Sequence, residues 1–253
     1  MNLFDLKGKA AIVTGGNDGI GQGIAIALAM AGASVCIAGR NDEKNERVRL
    51  EVEKLGVPSI ASHCDVNVAA DITATLAATE DAFGCLSILV NNAGIATLNP
   101  PELMTDEEWD SVIQTNLSGV FKFSRAAHPS LAKSGGGKVI NIGSMYSLFG
   151  SPFAPSYSAS KGGVVQLTRS LAVAWAKDNI QVNAILPGWI NTNMTAPIKG
   201  EMPDFYGDII ARTPAGRFGE PAECGGAAVF LASAAANFIT GQAIAVCGGY
   251  SVC

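Results

Sequence analysis

The sequence predicts one α/β domain, residues 1–253, built on a doubly wound parallel sheet with helices on both faces. Three observations carry that prediction. Short apolar runs such as AAIVT (Ala10–Thr14) and VCIAG (Val35–Gly39) lack the alternation of half-exposed strands, so both their faces are buried. Helix-length segments separate these runs along the whole chain. The 253 residues, 48% hydrophobic and 15% charged, are divided by no Pro/Ser-rich linker or charge run and suffice for one large core.

Taken in order, Ala10–Thr14 is the first strand, followed by the turn GGNDGIG and an Ala/Ile/Leu-rich helix from about Ile20 to Ala31. Gly32 is placed to end that helix in the left-handed conformation. The uncharged stretch from Gly19 to Gly39 is about as long as a membrane span, but Gly32 and Ser34 punctuate it. A buried helix followed by a buried strand accounts for it better. Asn41 caps a charged helix to about Leu55, strand SIASHC (59–64) leads into Asp65-Val66, and a helix from about Ala69 stops at Gly84. Leu86–Val90 is the next buried strand and opens into Asn91-Asn92-Ala93-Gly94. Thr105 and Glu108 form a capping box for one long helix to about Lys133. Strand KVINIG (138–143) precedes Ser144, a helix follows from about Pro155 to Lys177, and IQVNAIL (180–186) runs into Pro187-Gly188. A loop-rich insert spans about 189–218, a helix covers Pro221–Ala232, and QAIAVC (242–247) closes the sheet.

Sheets of this kind bind ligands beyond the carboxyl ends of their strands, where the strand order reverses. Gly15–Gly21, Asp65, Asn91–Gly94, Ser144 and Pro187–Gly188 each follow a strand and are expected along that edge. Gly15, Gly19 and Gly21 suit a tight turn that brings backbone N–H groups and a helix N-terminus up to a pyrophosphate. No GxxxxGKS or GxxxxGKT loop occurs, which excludes a P-loop nucleoside triphosphatase. Tyr157 and Lys161 stand four residues apart near a helix start, on one face and one turn apart. A free phenol has a pKa of about 10, and an ammonium at roughly 4 Å supplies about the 4 kcal/mol needed to bring it near neutrality. Ser144 adds a hydroxyl that can polarise a substrate oxygen. The trio suits proton transfer to or from a carbonyl or alcohol oxygen. By itself Tyr-x-x-x-Lys is a weak pattern that far more often reflects surface packing, and alone it decides nothing. Ser158-x-x-Lys161 matches an acyl-transfer pattern whose Ser-Asp-Asn and Lys-Thr-Gly companions are missing.

The net charge of −5 disfavours nucleic acid and anionic membranes as partners. MNLFDLKGK lacks the layout of a signal peptide, and the six cysteines, without CxxC spacing, read as reduced thiols of a cytoplasmic protein. The two histidines, His63 and His128, sit in no ligand cluster, so no metal site is expected.

TGGNDGIG (14–21), Asp65-Val66, NNAG (91–94), Asn116, Ser144 with YSASK (157–161) and PGWINT (187–192) occur in order along the chain. In that combination the sequence resembles the short-chain dehydrogenase/reductase family, whose Rossmann-type fold agrees with the sheet deduced above. The resemblance implies an NAD(P)-dependent oxidoreductase interconverting a small ketone and a secondary alcohol by hydride transfer. It implies Tyr157 as general acid/base, Ser144 at the substrate oxygen, Lys161 on the phenol and the nicotinamide ribose, and Asn116 in a proton relay. It further implies that Gly15, Asn17, Asp18, Gly19, Ile20 and Gly21 form the pyrophosphate turn and that Asp65 and Val66 hold the adenine. Asn91, Asn92, Ala93 and Gly94 would border the ribose, with Pro187, Gly188, Ile190 and Thr192 towards the nicotinamide.

An NAD-selecting site ends the second strand in a carboxylate. Gly39-Arg40 instead leaves room for a 2′-phosphate and supplies donors for it, although Asp18 stands where many NADP-using relatives carry a basic residue. NADP(H) is therefore favoured over NAD(H). Substrate contacts are expected from Met145, Tyr146, Phe153, Trp189, Met194 and Phe205, and their apolar character favours a cyclic or aryl ketone. The N-terminus, SMYSLFG, RTPAGRFG and ITGQAIAVCGGYS look like the sugar-acid and glucose-type branch, which makes 2-deoxy-gluconate or gluconate-type oxidation the alternative. A 3-oxoacyl reductase is disfavoured by Asp178, where carrier-linked enzymes often present Arg. A dinucleotide-sensing binding protein would usually have lost the Tyr–Lys pair. The family likeness also implies a homotetramer that pairs helices 105–133 and 155–177.

Overall fold

The computed structural model describes residues 2–253. Seven strands form one parallel sheet: β1 (Ala10–Thr14), β2 (Ser34–Gly39), β3 (Ser59–His63), β4 (Ile88–Asn91), β5 (Gly137–Ile142), β6 (Ile180–Pro187) and β7 (Ala243–Val246), in the order β3-β2-β1-β4-β5-β6-β7. The order reverses between β1 and β4, whose register sets Val13 beside Val90. The expected fold class is the observed one.

Side chains from alternate positions of each strand enter two separate cores. Ala11, Val13, Val35 and Ile37 face one side, with α1 (Gly19–Met30), α2 (Asp42–Glu53) and α9 (Pro221–Ala232). Ile12, Cys36 and Ala38 face the other, with α3 (Ala69–Phe83), α5 (Gly119–Lys133) and α6 (Pro155–Trp175). Both faces of β1 and β2 must therefore be apolar, which is why these strands show no alternation. Contact between α1 and α9 depends on Gly23, where a Cβ would strike the backbone of Pro221.

Two segments differ from expectation. The helix capped by Thr105 and Glu108 does not run unbroken to Lys133. It comprises α4 (Asp106–Ile113), a π-turn over Gln114–Ser118 that holds Asn116, and then α5. A single-turn π-bulge of this kind is set by packing between helices and is not announced by the capping signals that mark where a helix starts and stops. The insert at 189–218 is also more helical than its Pro and Gly content suggests. It contains α7 (Ala196–Glu201) and α8 (Pro203–Arg212), each with proline in its first turn, where the missing N–H costs nothing. The base of the insert is pinched shut by Asn191 N–H donating to the Gly219 carbonyl (2.8 Å) and Gly219 N–H to that of Trp189 (2.8 Å).

Among the described residues no helix is long and apolar enough to cross a membrane, and no cluster of His, Cys, Asp or Glu could hold a metal. The six cysteines are free.

Candidate active site

A cavity of about 880 Å³ lies along the carboxyl edge of the sheet. It runs from Arg40 at the end of β2, past Asp65 and Val66, across the turn between β1 and α1, to Ser144, Tyr157 and the insert.

The β1–α1 turn is built by glycines and a threonine. Gly15 and Gly19 adopt left-handed backbone with φ of 60° and 49°, a conformation that side chains resist. Asp18 caps α1, its carboxylate accepting from Gly19 N–H at 2.8 Å. Thr14 ties the turn to the neighbouring strand: its hydroxyl accepts from the N–H groups of Asn92 (3.0 Å) and Ala93 (3.1 Å). Asn92 reciprocates, donating through Nδ2 to the carbonyls of Thr14 and Gly15, each at 3.0 Å. The turn is thus locked across the switch point. Its bare backbone and the free N-terminus of α1 fit a dinucleotide pyrophosphate.

Gly21 does not line this cavity. It is buried in the turn, where a Cβ would collide with the Gly15 carbonyl oxygen, so its smallness serves the turn itself. Asn91 also turns away, into a buried chain: its Nδ2 donates to Ser124 Oγ (2.9 Å) and Asn141 Oδ1 (2.8 Å), and Asn141 donates to Thr168 (2.9 Å). Asn116 is likewise fully buried behind the wall. Its carboxamide pairs with both backbone groups of Ile95, accepting from N–H at 2.9 Å and donating to the carbonyl at 2.8 Å. That pairing holds the segment after Gly94 in place.

Ser144 follows β5 and accepts from Tyr146 N–H at 3.2 Å. Ser147 Oγ bridges this turn to α6, receiving Ser144 N–H (3.2 Å) and donating to the Lys161 carbonyl (2.8 Å). Pro155 opens α6, which places Tyr157 and Lys161 in its first two turns, both on the cavity. Burial pushes the Tyr157 phenol above its ordinary value, while the facing Ser144 hydroxyl pulls it down. Desolvation lowers Lys161 to about 8, and its Nζ donates to the Ile142 carbonyl at 2.7 Å. The ammonium sits 5.6 Å from the centre of the Tyr157 ring. The expected depression of the phenol by Lys161 is therefore not seen. The amine is spent on a backbone carbonyl and its own charge is disfavoured by burial, so burial of the phenol dominates.

Towards the insert the cavity is walled by aromatic rings. Tyr146 meets Tyr157 and Trp189 edge-on, each at 6.2 Å, and Trp189 meets Phe205 edge-on at 5.7 Å. Phe153 and Met194 stand at the exposed rim, whereas Met145 is floor, buried with Val165, Ala184 and Leu186. Pro187, Gly188, Ile190 and Thr192 line the cavity, and Thr192 packs against Gly19. Asn17, Ile20 and Gly94 line it too. Sequence reasoning missed Lys44 and Tyr250. Lys44 stands in the first turn of α2 beside Arg40 and is ion-paired with Asp18, 26 positions away.

A family model described as enoyl-(acyl carrier protein) reductase matches residues 15–251. The chain belongs to the short-chain dehydrogenase/reductase family, and it is an NAD(P)-dependent oxidoreductase acting on alcohol and ketone groups. It is 41% identical over 251 residues to 2-dehydro-3-deoxy-D-gluconate 5-dehydrogenase of Escherichia coli K12, covering 99% of this chain and 98% of that protein. A gluconate 5-dehydrogenase from Burkholderia cenocepacia, solved with NADP and tartrate, superposes with a TM-score of 0.95 at 36% identity, covering 100% of this chain and 98% of the other. A 7α-hydroxysteroid dehydrogenase, solved with NADH and 7-oxo glycochenodeoxycholic acid, superposes with a TM-score of 0.93 at 34% identity, covering 98% and 96%.

Proposed function

We propose that this protein interconverts a small uncharged ring ketone and its secondary alcohol, with NADP(H) as the preferred dinucleotide. The observation that carries the substrate reading is the aromatic wall of Tyr146, Trp189 and Phe205 beside Tyr157. Among the described residues, no cation lines that end of the cavity apart from Lys161. Arg212 lies outside it, stacked on Tyr250 (4.2 Å) and Phe149 (4.8 Å), with Nη1 donating to the Tyr250 hydroxyl at 3.3 Å.

Tyr157 gives its proton to the carbonyl oxygen during reduction and takes it back during oxidation. A phenol held above its ordinary value by burial is protonated at neutral pH, ready for the reducing direction. The Ser144 hydroxyl donates to the same oxygen as negative charge develops. Lys161, bonded to Ile142, is placed to hold the nicotinamide ribose and to replace a proton lost by Tyr157. When bound, the nicotinamide supplies or accepts the hydride at the substrate carbon. Gly15, Asn17, Gly19 and Ile20 would hold its pyrophosphate, Asp65 and Val66 the adenine, and Pro187, Gly188, Ile190 and Thr192 the carboxamide end. Asn116 acts through Ile95 as a positioning residue.

Support for NADP(H) comes from Arg40, exposed at the end of β2, and from Asp18, whose charge is neutralised by Lys44 at 2.6 Å. The second reading, sugar-acid oxidation, is favoured by the gluconate-type relatives and by the hydroxyls of Ser151 and Tyr250 on the cavity. Initial rates with NADPH and NADH against cyclic ketones, aryl ketones and sugar acids test both. The ring-ketone reading fails if kcat/KM is highest for a sugar acid. Arg212→Ala sharpens the test: KM for a ring ketone is expected to change by less than about threefold, since the guanidinium only buttresses Tyr250.

We also infer a homotetramer assembled through α4, α5 and α6. Trp109, Phe121 and Val173 stand exposed on these helices, and Ala174 and Ala176 leave room for close approach. Ala172 does not contribute, being buried against the sheet. A light-scattering mass near one subunit would overturn this assembly.

A further inference from the structure

The junction of β2 and α2 carries charges that the proton-transfer site does not use. Among the described residues, Arg40, Lys44 and Lys161 are the cations that line the cavity, and Lys161 is committed to Ile142. Arg40 is exposed and makes no side-chain hydrogen bond or ion pair among the described residues. Lys44 is held at the start of α2 by its backbone N–H, which donates to the Asn41 cap at 2.9 Å. Its ammonium crosses the cavity wall to Asp18, 2.6 Å away. Asp18 keeps two further donors, Gly19 N–H at 2.8 Å and Asn193 Nδ2 at 2.7 Å. Both partners of the ion pair are partly exposed, at 45% and 35% of their side-chain surface, so exchanging one of them is inexpensive. The neighbouring carboxylate Asp42 is turned towards His63, at 2.9 Å.

We propose that Lys44 is a second ligand for the 2′-phosphate of NADP, held in reserve by Asp18, so that this ion pair sets the balance between the two dinucleotides. The inference rests on NADP(H) being the cofactor. A phosphate monoester carries a charge of roughly −1.5 to −2 and three acceptor oxygens, more than the Arg40 fork alone can satisfy. Lys44 can move to it without stranding a charge, because Asp18 retains Gly19, Asn193 and solvent. Asp18 therefore competes with the phosphate for Lys44 and tempers the preference that Arg40 creates. Gly39 does not provide the room, since its space is filled by the Asn17 and Asn45 carboxamides, bonded at 2.6 Å.

Calorimetric titration with 2′,5′-ADP and with ADP separates the phosphate contact from catalysis. Lys44→Met is expected to weaken 2′,5′-ADP about tenfold and to leave ADP within about twofold. Asp18→Asn, which keeps a cap on Gly19 and removes the competing charge, is expected to tighten 2′,5′-ADP about threefold. Unchanged 2′,5′-ADP affinity in Lys44→Met overturns the inference, and so does weakened affinity in Asp18→Asn. If the wild type prefers 2′,5′-ADP and Arg40→Ala alone removes that preference, NADP(H) stands as cofactor and Lys44 does not read it. Equal wild-type affinity for the two nucleotides instead overturns the NADP reading and the inference with it.

Discussion

Lys161 and Lys138 are buried amines at opposite ends of one sheet, and desolvation brings each of them down to about 8. Each donates one short hydrogen bond, Lys161 to the Ile142 carbonyl at 2.7 Å and Lys138 to Asn237 Oδ1 at 2.8 Å. Their surroundings differ. Lys161 stands at the carboxyl edge, on the cavity and under the Tyr157 ring. Lys138 stands near the start of β5, off the cavity, with Lys9 as a second cause of its lowered value. A perturbed pKa thus follows from burial at either end and does not identify a catalytic group. Position in the sheet separates the two: at the carboxyl edge, loops from several strands converge on a space large enough for ligands.

The largest test of that contrast is Tyr157→Phe, expected to lower kcat about 10³-fold while dinucleotide affinity, read by NADPH fluorescence, stays near wild type. Retained turnover would break the assignment at once. Lys161→Met is expected to lower kcat/KM about 100-fold and to weaken dinucleotide binding as well, because both proposed roles reside in one amine. Lys138→Met, its counterpart, is expected to leave kcat within about twofold, since the amine lies off the cavity and its one partner, Asn237, is exposed and can turn to water. The smallest effect is in pH dependence. Lys138 holds its proton less tightly in the folded chain than in the unfolded one, so its contribution to stability rises as pH climbs from about 8 to 10.5 and is lost as pH falls through that window. Urea midpoints across it should climb less steeply in Lys138→Met than in the wild type. Identical slopes would mean that the amine is not desolvated.

Much of the edge is legible in the sequence. Gly15, Gly19, Asp65, Gly94, Ser144, Tyr157, Lys161 and Thr192 lie in segments that follow strands, and one topological rule gathers them. Gly21 and Asn116 belong to the same motifs but act one layer back, in the turn and behind Ile95. A motif marks that a residue type is needed at a position without saying whether it faces ligand or scaffold. The phenol illustrates a second gap. A tyrosine and a lysine one turn apart suggest a lowered phenol, yet the balance turns on how deeply each is buried and on a carbonyl 19 positions away that occupies the lysine.

Two-faced burial and capping are local signals, so the succession of the seven strands and of the helices flanking them is written in the sequence, and the switch-point rule then names the edge where ligands are expected. Tertiary structure alone decided the partners of each polar group. The π-turn at Gln114–Ser118, the Asn91–Asn141 chain and the meeting of Asn193 with Asp18 across 175 positions arise from packing between distant elements. Hydrogen bonds and ion pairs are short-ranged, so their energies depend on where the folded chain sets each side chain, and no local pattern encodes that placement.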